Sequence, residues 1–215
     1  MTAIVFDLDG TLIHSAPDIH AAVASVLLAE GYAPLPLDTI TSFIGNGVPV
    51  LIERVMAARG LPVADHARLM ADFHARYEAD PSRLTRLYPG VRAALEAFRA
   101  DGIALGICTN KPEAITHEIL GRFALTDVFP VVIGGDTLPV RKPDPAMLLD
   151  CFRQLGAEGG LYVGDSEVDA ETAERAGLPF ALFTAGYRRG PAEAMRATFA
   201  FDDFARLPAL ARSHA

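Results

Sequence analysis

Lysine and cysteine are scarce in this chain, and both shortages are informative. Among 215 residues the only lysines are Lys111 and Lys142, although arginine is frequent. Both lie at strand-end or loop positions, so each is a candidate for a specific role. The two cysteines, Cys108 and Cys151, lie in apolar segments. Such cysteines are typical of reduced core thiols rather than a disulfide, which indicates a cytoplasmic protein.

Long apolar runs and an excess of basic residues are also missing. No run approaches the length of a bilayer span, and the first residues lack the basic and apolar regions of a signal peptide. A net charge of −8 and an isoelectric point near 5.2 argue against nucleic acid or an anionic membrane as a partner. With 51% hydrophobic residues the chain can bury a substantial core.

Strand-like and helix-like segments alternate along the chain, with one long helical interruption. Strands that are apolar on both faces and joined by helices form a parallel sheet. We therefore predict an α/β fold: a doubly wound, Rossmann-like core of residues 1–14 and 86–215, with residues 15–85 inserted as an all-helical segment. Ser15, followed by the acid Asp18 three residues later, predicts the N-cap and capping box of its first helix.

Two aspartates follow the first predicted strand. Asp7 and Asp9 leave the apolar run of residues 3–6 on the same face, and Gly10 allows a sharp turn after them. At about 4 Å and an effective dielectric of about 20, two carboxylates repel by roughly 4 kcal/mol. A fold keeps such a pair for a cation, for proton chemistry or for a nucleophile. For this motif alone, a loop of solvated acids is an equally good interpretation.

Further polar residues accompany the later strands and helices. Thr109 and Asn110 end one strand, Asp165 ends another with Asp169 one helical turn later, and Lys142 precedes a helix. Each motif alone has an ordinary explanation as a turn or a helix start. Together they gather at the carboxyl edge of one parallel sheet, where open α/β folds bind ligands.

Four motifs in this order resemble those of the haloacid dehalogenase-like phosphohydrolases. The motifs are Asp7-Leu8-Asp9-Gly10-Thr11-Leu12, Thr109-Asn110, Lys142-Pro143 and Gly164-Asp165-Ser166-Glu167-Val168-Asp169. The helical segment is similar to the C1-type cap of that superfamily. The resemblance covers essentially the whole chain.

The resemblance implies a phosphatase that works through a phosphoaspartate. Asp7 is then the nucleophile, a role that suits a carboxylate because it can accept a phosphoryl group. Asp9 is the general acid and base. Thr109 and Asn110 donate hydrogen bonds to the phosphoryl oxygens, and Lys142 neutralises negative charge.

The resemblance also implies an Mg²⁺ ion. Its ligands are the Asp7 carboxylate, the Asp9 backbone carbonyl and the Asp165 carboxylate. Asp169 either holds a metal-bound water or orients Asp165. These groups match the preference of Mg²⁺ for oxygen ligands in octahedral geometry.

Within the superfamily the chain is most similar to the phosphoglycolate phosphatase branch. We therefore expect a small phosphorylated carboxylic acid, 2-phosphoglycolate first, as the substrate. His14 and Glu167 depart from the pattern of that branch. Asn46, between two glycines, is expected to reach the substrate from the helical segment. Lys111 either meets the substrate carboxylate or lies in solvent.

Particular residues argue against two other activities of this superfamily. Asp9 argues against the dehalogenases of the superfamily, which lack a second aspartate, and the helical segment has no lysine for the Schiff base of phosphonoacetaldehyde hydrolases. A β-phosphoglucomutase-like phosphotransferase, a pyrophosphatase and a sugar-phosphate phosphatase remain, as does a catalytically silent binding protein. The sequence leaves the oligomeric state open.

Overall fold

The computed structural model describes residues 2–214, and a parallel sheet forms its centre. In chain order the strands are β1 (Ala3–Phe6), β2 (Ile13–His14), β3 (Arg86–Leu87), β4 (Ala104–Cys108), β5 (Val131–Ile133), β6 (Leu161–Gly164), β7 (Phe180–Phe183) and β8 (Phe199–Phe201). Six of them form one sheet in the order β5-β4-β1-β6-β7-β8, and all its pairings are parallel. The predicted fold class is confirmed.

Nine α-helices accompany these strands in the part of the chain that the structure describes. They are α1 (Ala16–Ala29), α2 (Leu37–Phe43), α3 (Val48–Arg59), α4 (His66–Glu78), α5 (Val91–Ala100), α6 (Glu113–Arg122), α7 (Ala146–Gln154), α8 (Glu167–Ala176) and α9 (Leu207–Ser213). Between residues 2 and 214, no helix combines the length and apolar character needed to cross a membrane.

The two faces of the sheet belong to two apolar clusters. Successive residues of a strand point to opposite faces, so Ala3 and Val5 of β1 pack in one cluster and Ile4 and Phe6 in the other. The first cluster includes residues of α7 and α8, and the second extends through α5 and α9 into α1–α4. Both cysteines are free and lie in the buried core.

The four helices α1–α4 lie between β2 and β3, in a segment that we call the helical insertion (residues 15–85). β2 and β3 pair antiparallel, with Ile13 opposite Leu87 and His14 opposite Arg86. The chain therefore leaves the sheet and returns to it at one place, next to the end of β1.

The start of α1 differs from the predicted capping box. Ser15 is the N-cap residue, but its side chain makes no cap hydrogen bond; it donates to Asp9 Oδ1 at 2.5 Å instead. The carboxylate of Asp18 accepts hydrogen bonds from the N–H groups of Leu84 and Thr85 and from the Thr85 hydroxyl. The capping box is wrong because both side chains have stronger, charge-assisted partners elsewhere. As a result Asp18 ties the two connections of the helical insertion together.

Candidate active site

Three buried carboxylates meet at the carboxyl edge of the sheet. Asp7 follows β1, Asp165 follows the neighbouring strand β6, and Asp169 lies in the first turn of α8. One carboxylate oxygen of each lies within 4.8 Å of the others. Because Phe6 of β1 is paired with Val163 of β6, the two strands end side by side. The structure thus brings together these three predicted residues, which we call the carboxylate cluster.

Lys142 is buried between two members of the carboxylate cluster. Its Nζ lies 2.9 Å from Asp7 Oδ1 and donates hydrogen bonds to Asp169 Oδ1 at 2.7 Å and to the Tyr162 hydroxyl at 2.9 Å. Its backbone N–H donates to Asn110 Oδ1 at 2.9 Å. Burial alone would lower the pKa of Lys142, but the charges of Asp169 and Asp7 outweigh it and raise that pKa. Lys142 is therefore a fixed positive charge beside Asp7.

Asp169 is held by hydrogen bonds on both carboxylate oxygens. Oδ1 accepts from Lys142 and Tyr162, and Oδ2 accepts from the N–H groups of Asp165 and Ser166 and from the Ser166 hydroxyl. Ser166 and Asp169 form the capping box of α8. Burial would raise the pKa of Asp169, but Lys142 outweighs it and the pKa is lowered. With both oxygens committed, Asp169 orients its neighbours.

Asp165 is fixed from two sides. The Thr11 hydroxyl donates to its Oδ1 at 2.7 Å, and the N–H of Tyr187 donates to its Oδ2 at 2.5 Å. Gly10 and Gly186 pass so close that a Cβ at either position would collide with the Asp165 carboxylate. The contact of Tyr187 with Asp165 was not predicted from the sequence. A signal for it is Gly186, which directly precedes Tyr187 in the loop after β7.

The carboxylate cluster is short of positive charge. Burial, followed by the charges of Asp169 and Asp7, raises the pKa of Asp165 well above its ordinary value. Burial also raises the pKa of Asp7 to about 7, against the lowering effect of Lys142. Asp7 Oδ1 is buried, and within residues 2–214 its charged partner is Lys142, whose Nζ lies 2.9 Å away. When all three carboxylates are ionised, the one ammonium leaves two negative charges uncompensated. The residues present therefore fit an oxygen-ligated divalent cation.

The Asp9 side chain points away from the carboxylate cluster, toward the helical insertion. Lys111 Nζ lies 3.0 Å from each of its carboxylate oxygens, and Ser15 donates to one of them. Lys111 also donates to the hydroxyl of Tyr77, on α4, at 2.7 Å. Lys111 is buried, so the alternative of a solvated lysine is wrong. Only the backbone carbonyl of Asp9 is left to face a cation, and that role stays a prediction.

The two residues expected to bind phosphate, Thr109 and Asn110, differ in whether their side chains are free to donate hydrogen bonds. Thr109 lines a cavity; its Oγ1 accepts the N–H of Lys111 at 3.3 Å and keeps its own hydrogen to donate. The side chain of Asn110 is used within the protein, because Nδ2 donates to the carbonyls of Gly45 and Lys142. A hydrogen bond from Asn110 to a phosphoryl oxygen would have to come from its backbone N–H.

Asn46 is held by a neighbour within the helical insertion. Its Oδ1 accepts a hydrogen bond from Arg54 at 3.0 Å, and Arg54 also donates to the carbonyl of Phe43. The flanking residues Gly45 and Gly47 line the cavity, whereas Asn46 does not. Substrate binding through Asn46 stays a prediction.

A cavity of about 60 Å³ separates the sheet edge from the helical insertion. Asp7, Asp9 and Thr109 line its sheet side. Most of the opposite wall is apolar, formed by Ile19, Ile44, Val48, Leu51 and Phe73. Within residues 2–214, Lys111 is the only lysine or arginine that lines this cavity. The cavity therefore combines a polar floor with an apolar wall and one cation.

Comparison with known proteins decides the family of this site. A profile described as haloacid dehalogenase-like hydrolase matches residues 4–183. The chain belongs to the haloacid dehalogenase-like hydrolases. The family resemblance seen in the four motifs is confirmed.

Similar haloacid dehalogenase-like proteins cover almost the whole chain. A phosphoglycolate phosphatase of Cereibacter sphaeroides is 56% identical over 214 residues, which are 99% of this chain and 98% of that protein. A phosphoglycolate phosphatase of Rhodospirillum rubrum is 43% identical, over 95% of this chain and 88% of that protein. The crystal structure of a predicted phosphoglycolate phosphatase from Haemophilus somnus has a TM-score of 0.91 at 31% identity and covers 98% of this chain and 97% of that one.

Proposed function

We propose that this hydrolase is an Mg²⁺-dependent phosphatase that converts 2-phosphoglycolate to glycolate and phosphate. The observation that carries the proposal is the setting of Asp7: a buried carboxylate 2.9 Å from the Lys142 ammonium, in a cluster suited to a divalent cation. The named activity of relatives up to 58% identical supports the choice of substrate.

Two steps carry the phosphoryl group to Asp7 and then to water. In the first step an Asp7 oxygen bonds to phosphorus, the bond from phosphorus to the bridging oxygen breaks, and Asp9 gives a proton to that oxygen. In the second step a water attacks phosphorus, Asp9 takes its proton, and the bond to Asp7 breaks. Asp7 is restored, and the products are glycolate and inorganic phosphate.

Asp7, Asp165 and the Asp9 carbonyl would hold the Mg²⁺ ion, with Asp169 behind them. When bound, the ion offsets the negative charge of the phosphoryl oxygens. Its binding also requires the carboxylates to lose their protons, which couples metal affinity to pH.

Several groups of the chain are free to donate hydrogen bonds to the phosphoryl oxygens. The Thr109 hydroxyl has a free hydrogen. The backbone N–H groups of Leu8 and Asn110 have no hydrogen-bond acceptor within residues 2–214. Buried N–H groups seldom stay unpaired, and an oxyanion of the substrate would satisfy them. Lys142 adds a positive charge beside the attacking oxygen.

We also propose that the helical insertion, residues 15–85, acts as a cap over a catalytic core of residues 1–14 and 86–215. The position of the cavity between the two parts supports this division. The two free, buried cysteines support the predicted cytoplasmic location.

A panel of phosphate compounds tests the proposed activity. The purified protein, with Mg²⁺, is assayed by phosphate release from 2-phosphoglycolate, a hexose phosphate, pyrophosphate and an aryl phosphate. We expect the highest kcat/KM for 2-phosphoglycolate. A higher value for a hexose phosphate or pyrophosphate would move the chain to another branch. Isomerisation of a sugar phosphate would indicate a mutase, and no turnover of any compound by folded protein would indicate a binding protein.

A further inference from the structure

Lys111 is a buried cation that the proposed reaction does not use. It contacts neither the carboxylate cluster nor Lys142, and its hydrogen bonds run to Asp9 and Tyr77. Burial alone would lower the pKa of Lys111, but the charge of Asp9 and the hydrogen bonds to Tyr77 and Asp9 outweigh it and raise that pKa. Lys111 therefore keeps its positive charge inside a cavity that is mostly apolar. A buried charge of this kind is costly unless an anion faces it, and in this structure that anion is Asp9.

The hydrogen bonds around Asp9 are incompatible with its proposed proton transfer. Both Asp9 oxygens accept from Lys111, and Oδ1 also accepts from Ser15. To act as an acid, Asp9 must turn an O–H toward the bridging oxygen of the substrate. An ammonium group has no lone pair to accept that hydrogen. Lys111 must therefore leave at least one oxygen of Asp9 before the reaction proceeds.

The proposed substrate offers Lys111 another anion at the right place. In 2-phosphoglycolate a single methylene separates the carboxylate from the bridging oxygen that Asp9 protonates. A group that already touches Asp9 is thus within reach of that carboxylate. Lys111 is also the only lysine or arginine lining the cavity within residues 2–214.

Tyr77 gives Lys111 a fixed point on the helical insertion. Its hydroxyl accepts from Lys111 at 2.7 Å, and the Lys111 ammonium lies 4.8 Å from the centre of its ring. Its own hydroxyl hydrogen has no acceptor among the described residues, so it is free for a second anionic oxygen. Tyr77 lines the cavity beside Lys111. An ammonium and a phenol O–H pointing into one cavity are a suitable pair for a carboxylate.

Two arginines near the cavity are hydrogen-bonded to backbone carbonyls and do not line it. Arg54 is held by Asn46 Oδ1 and by the Phe43 carbonyl and does not line the cavity. Within residues 2–214, Arg141 donates to the carbonyl of Gly135 through Nε alone. These arginines fix the surrounding backbone, whereas Lys111 and Tyr77 face the cavity.

We propose that Lys111, together with Tyr77, binds the carboxylate of the substrate and thereby determines specificity. This proposal rests on the proposed function above. When the substrate binds, the Lys111 ammonium gives up its hydrogen bond to one oxygen of Asp9. It then donates to an oxygen of the substrate carboxylate. The exchange frees Asp9 to face the bridging oxygen. A phosphate ester without a carboxylate leaves Lys111 on Asp9 and is therefore turned over more slowly.

The test compares 2-phosphoglycolate with ethyl phosphate, which lacks only the carboxylate, for the wild type and for Lys111→Met. We expect kcat/KM for 2-phosphoglycolate to fall by about 10- to 100-fold more than that for ethyl phosphate, the size expected for one charge-assisted hydrogen bond. Tyr77→Phe should reduce the same preference by a smaller factor. Arg76→Met is the matched control, because Arg76 adjoins Tyr77 on α4 but pairs with Asp72 at the surface.

The outcomes separate this proposal from the proposed function. Suppose that the wild type prefers 2-phosphoglycolate and that Lys111→Met lowers kcat/KM for both substrates by the same factor. Lys111 then only positions Asp9, and the proposed binding of the substrate carboxylate is overturned. If the wild type shows no preference for 2-phosphoglycolate over ethyl phosphate, the proposed substrate itself is wrong. Calorimetric binding to Asp7→Asn gives a readout without turnover: 2-phosphoglycolate should bind more weakly once Lys111→Met is added. Unchanged affinity would contradict the proposal.

Discussion

The carboxylate cluster and the wall of the helical insertion are built in opposite ways. In the cluster, Asp169 accepts five hydrogen bonds, Asp165 is fixed by Thr11 and Tyr187, and Lys142 has partners on three sides. The wall is mostly apolar, with few polar side chains facing the cavity.

A rigid set of charges suits a reaction in which charge moves, because it need not reorganise during the step. An apolar wall with a few polar groups suits the selection of one substrate by shape and by a single charge. We therefore expect substitutions in the cluster to affect every substrate. Substitutions in the helical insertion should change the substrate range or the stability.

The largest effect should come from Asp7→Asn. Because an amide is a poor phosphoryl acceptor, turnover of every substrate should fall by about 10⁴-fold or more. The metal-free variant should also unfold at a higher temperature than the wild type near neutral pH, since the buried, repelled charge is gone. Phosphate release and a thermal melt measure the two effects. A rate close to that of the wild type would contradict the phosphoaspartate pathway.

Metal removal should act on the carboxylate cluster and not on the wall of the helical insertion. A chelator should stop turnover, and Ca²⁺ should restore it poorly because its shell is larger and less regular. The fold raises the pKa of Asp7 from 3.8 to about 7, so the metal-free protein binds this proton more tightly folded than unfolded. The contribution of Asp7 to the free energy of unfolding therefore falls as the pH rises from 3.8 to about 7. Mg²⁺ replaces the proton and should raise Tm more at about pH 8 than at about pH 5.

The pH dependence has a clear contrary result. Equal Mg²⁺-induced shifts of Tm at the two pH values would mean that the buried carboxylates are not the binding site. Full activity in excess chelator would mean that the reaction needs no divalent cation.

A stability effect without a change in chemistry is expected at Asp18. Asp18→Asn puts an amide where the N–H groups of Leu84 and Thr85 now donate, and it should lower the free energy of unfolding by about 2–3 kcal/mol. Denaturant unfolding measures it. Asp72→Asn is the control, because its exposed pair with Arg76 should contribute less than about 1 kcal/mol. An equal loss of unfolding free energy in both variants would contradict the proposed role of Asp18 in joining the two ends of the helical insertion.

The smallest effect should follow from Asn46→Ala. The variant loses one hydrogen bond from Arg54 and no cavity-lining side chain. We expect kcat/KM for 2-phosphoglycolate to fall by about tenfold at most, the equivalent of one hydrogen bond. A much larger loss with an unchanged Tm would show that Asn46 itself contacts the substrate.

Sequence reasoning worked where local pattern and sheet geometry suffice. An apolar run followed by Asp7 predicts a strand end, and parallel strands place their carboxyl ends at one edge, so Asp7 and Asp165 could be expected to meet. Asp169 could be placed near Asp165 because four residues span about one helical turn. These predictions needed no knowledge of how distant segments pack.

Contacts between distant segments could not be predicted in this way. Lys111 meets Tyr77 because of how α4 packs over the sheet edge, and Tyr187 reaches Asp165 because of the path of the loop after β7. The role of Ser15 was misjudged for the same reason. Its hydroxyl could be expected to cap α1, but the fold brings a carboxylate within 2.5 Å of it. A charged acceptor then wins over a backbone N–H.

The pairing of β2 with β3 has an evolutionary consequence. Since Ile13 lies opposite Leu87, the seventy or so residues between them begin and end at neighbouring points. Such a segment can be exchanged, enlarged or reduced to a hairpin turn without shifting the register of any sheet strand. A lineage that keeps the sheet edge and rewrites only this excursion can acquire new substrates while inheriting its chemistry intact.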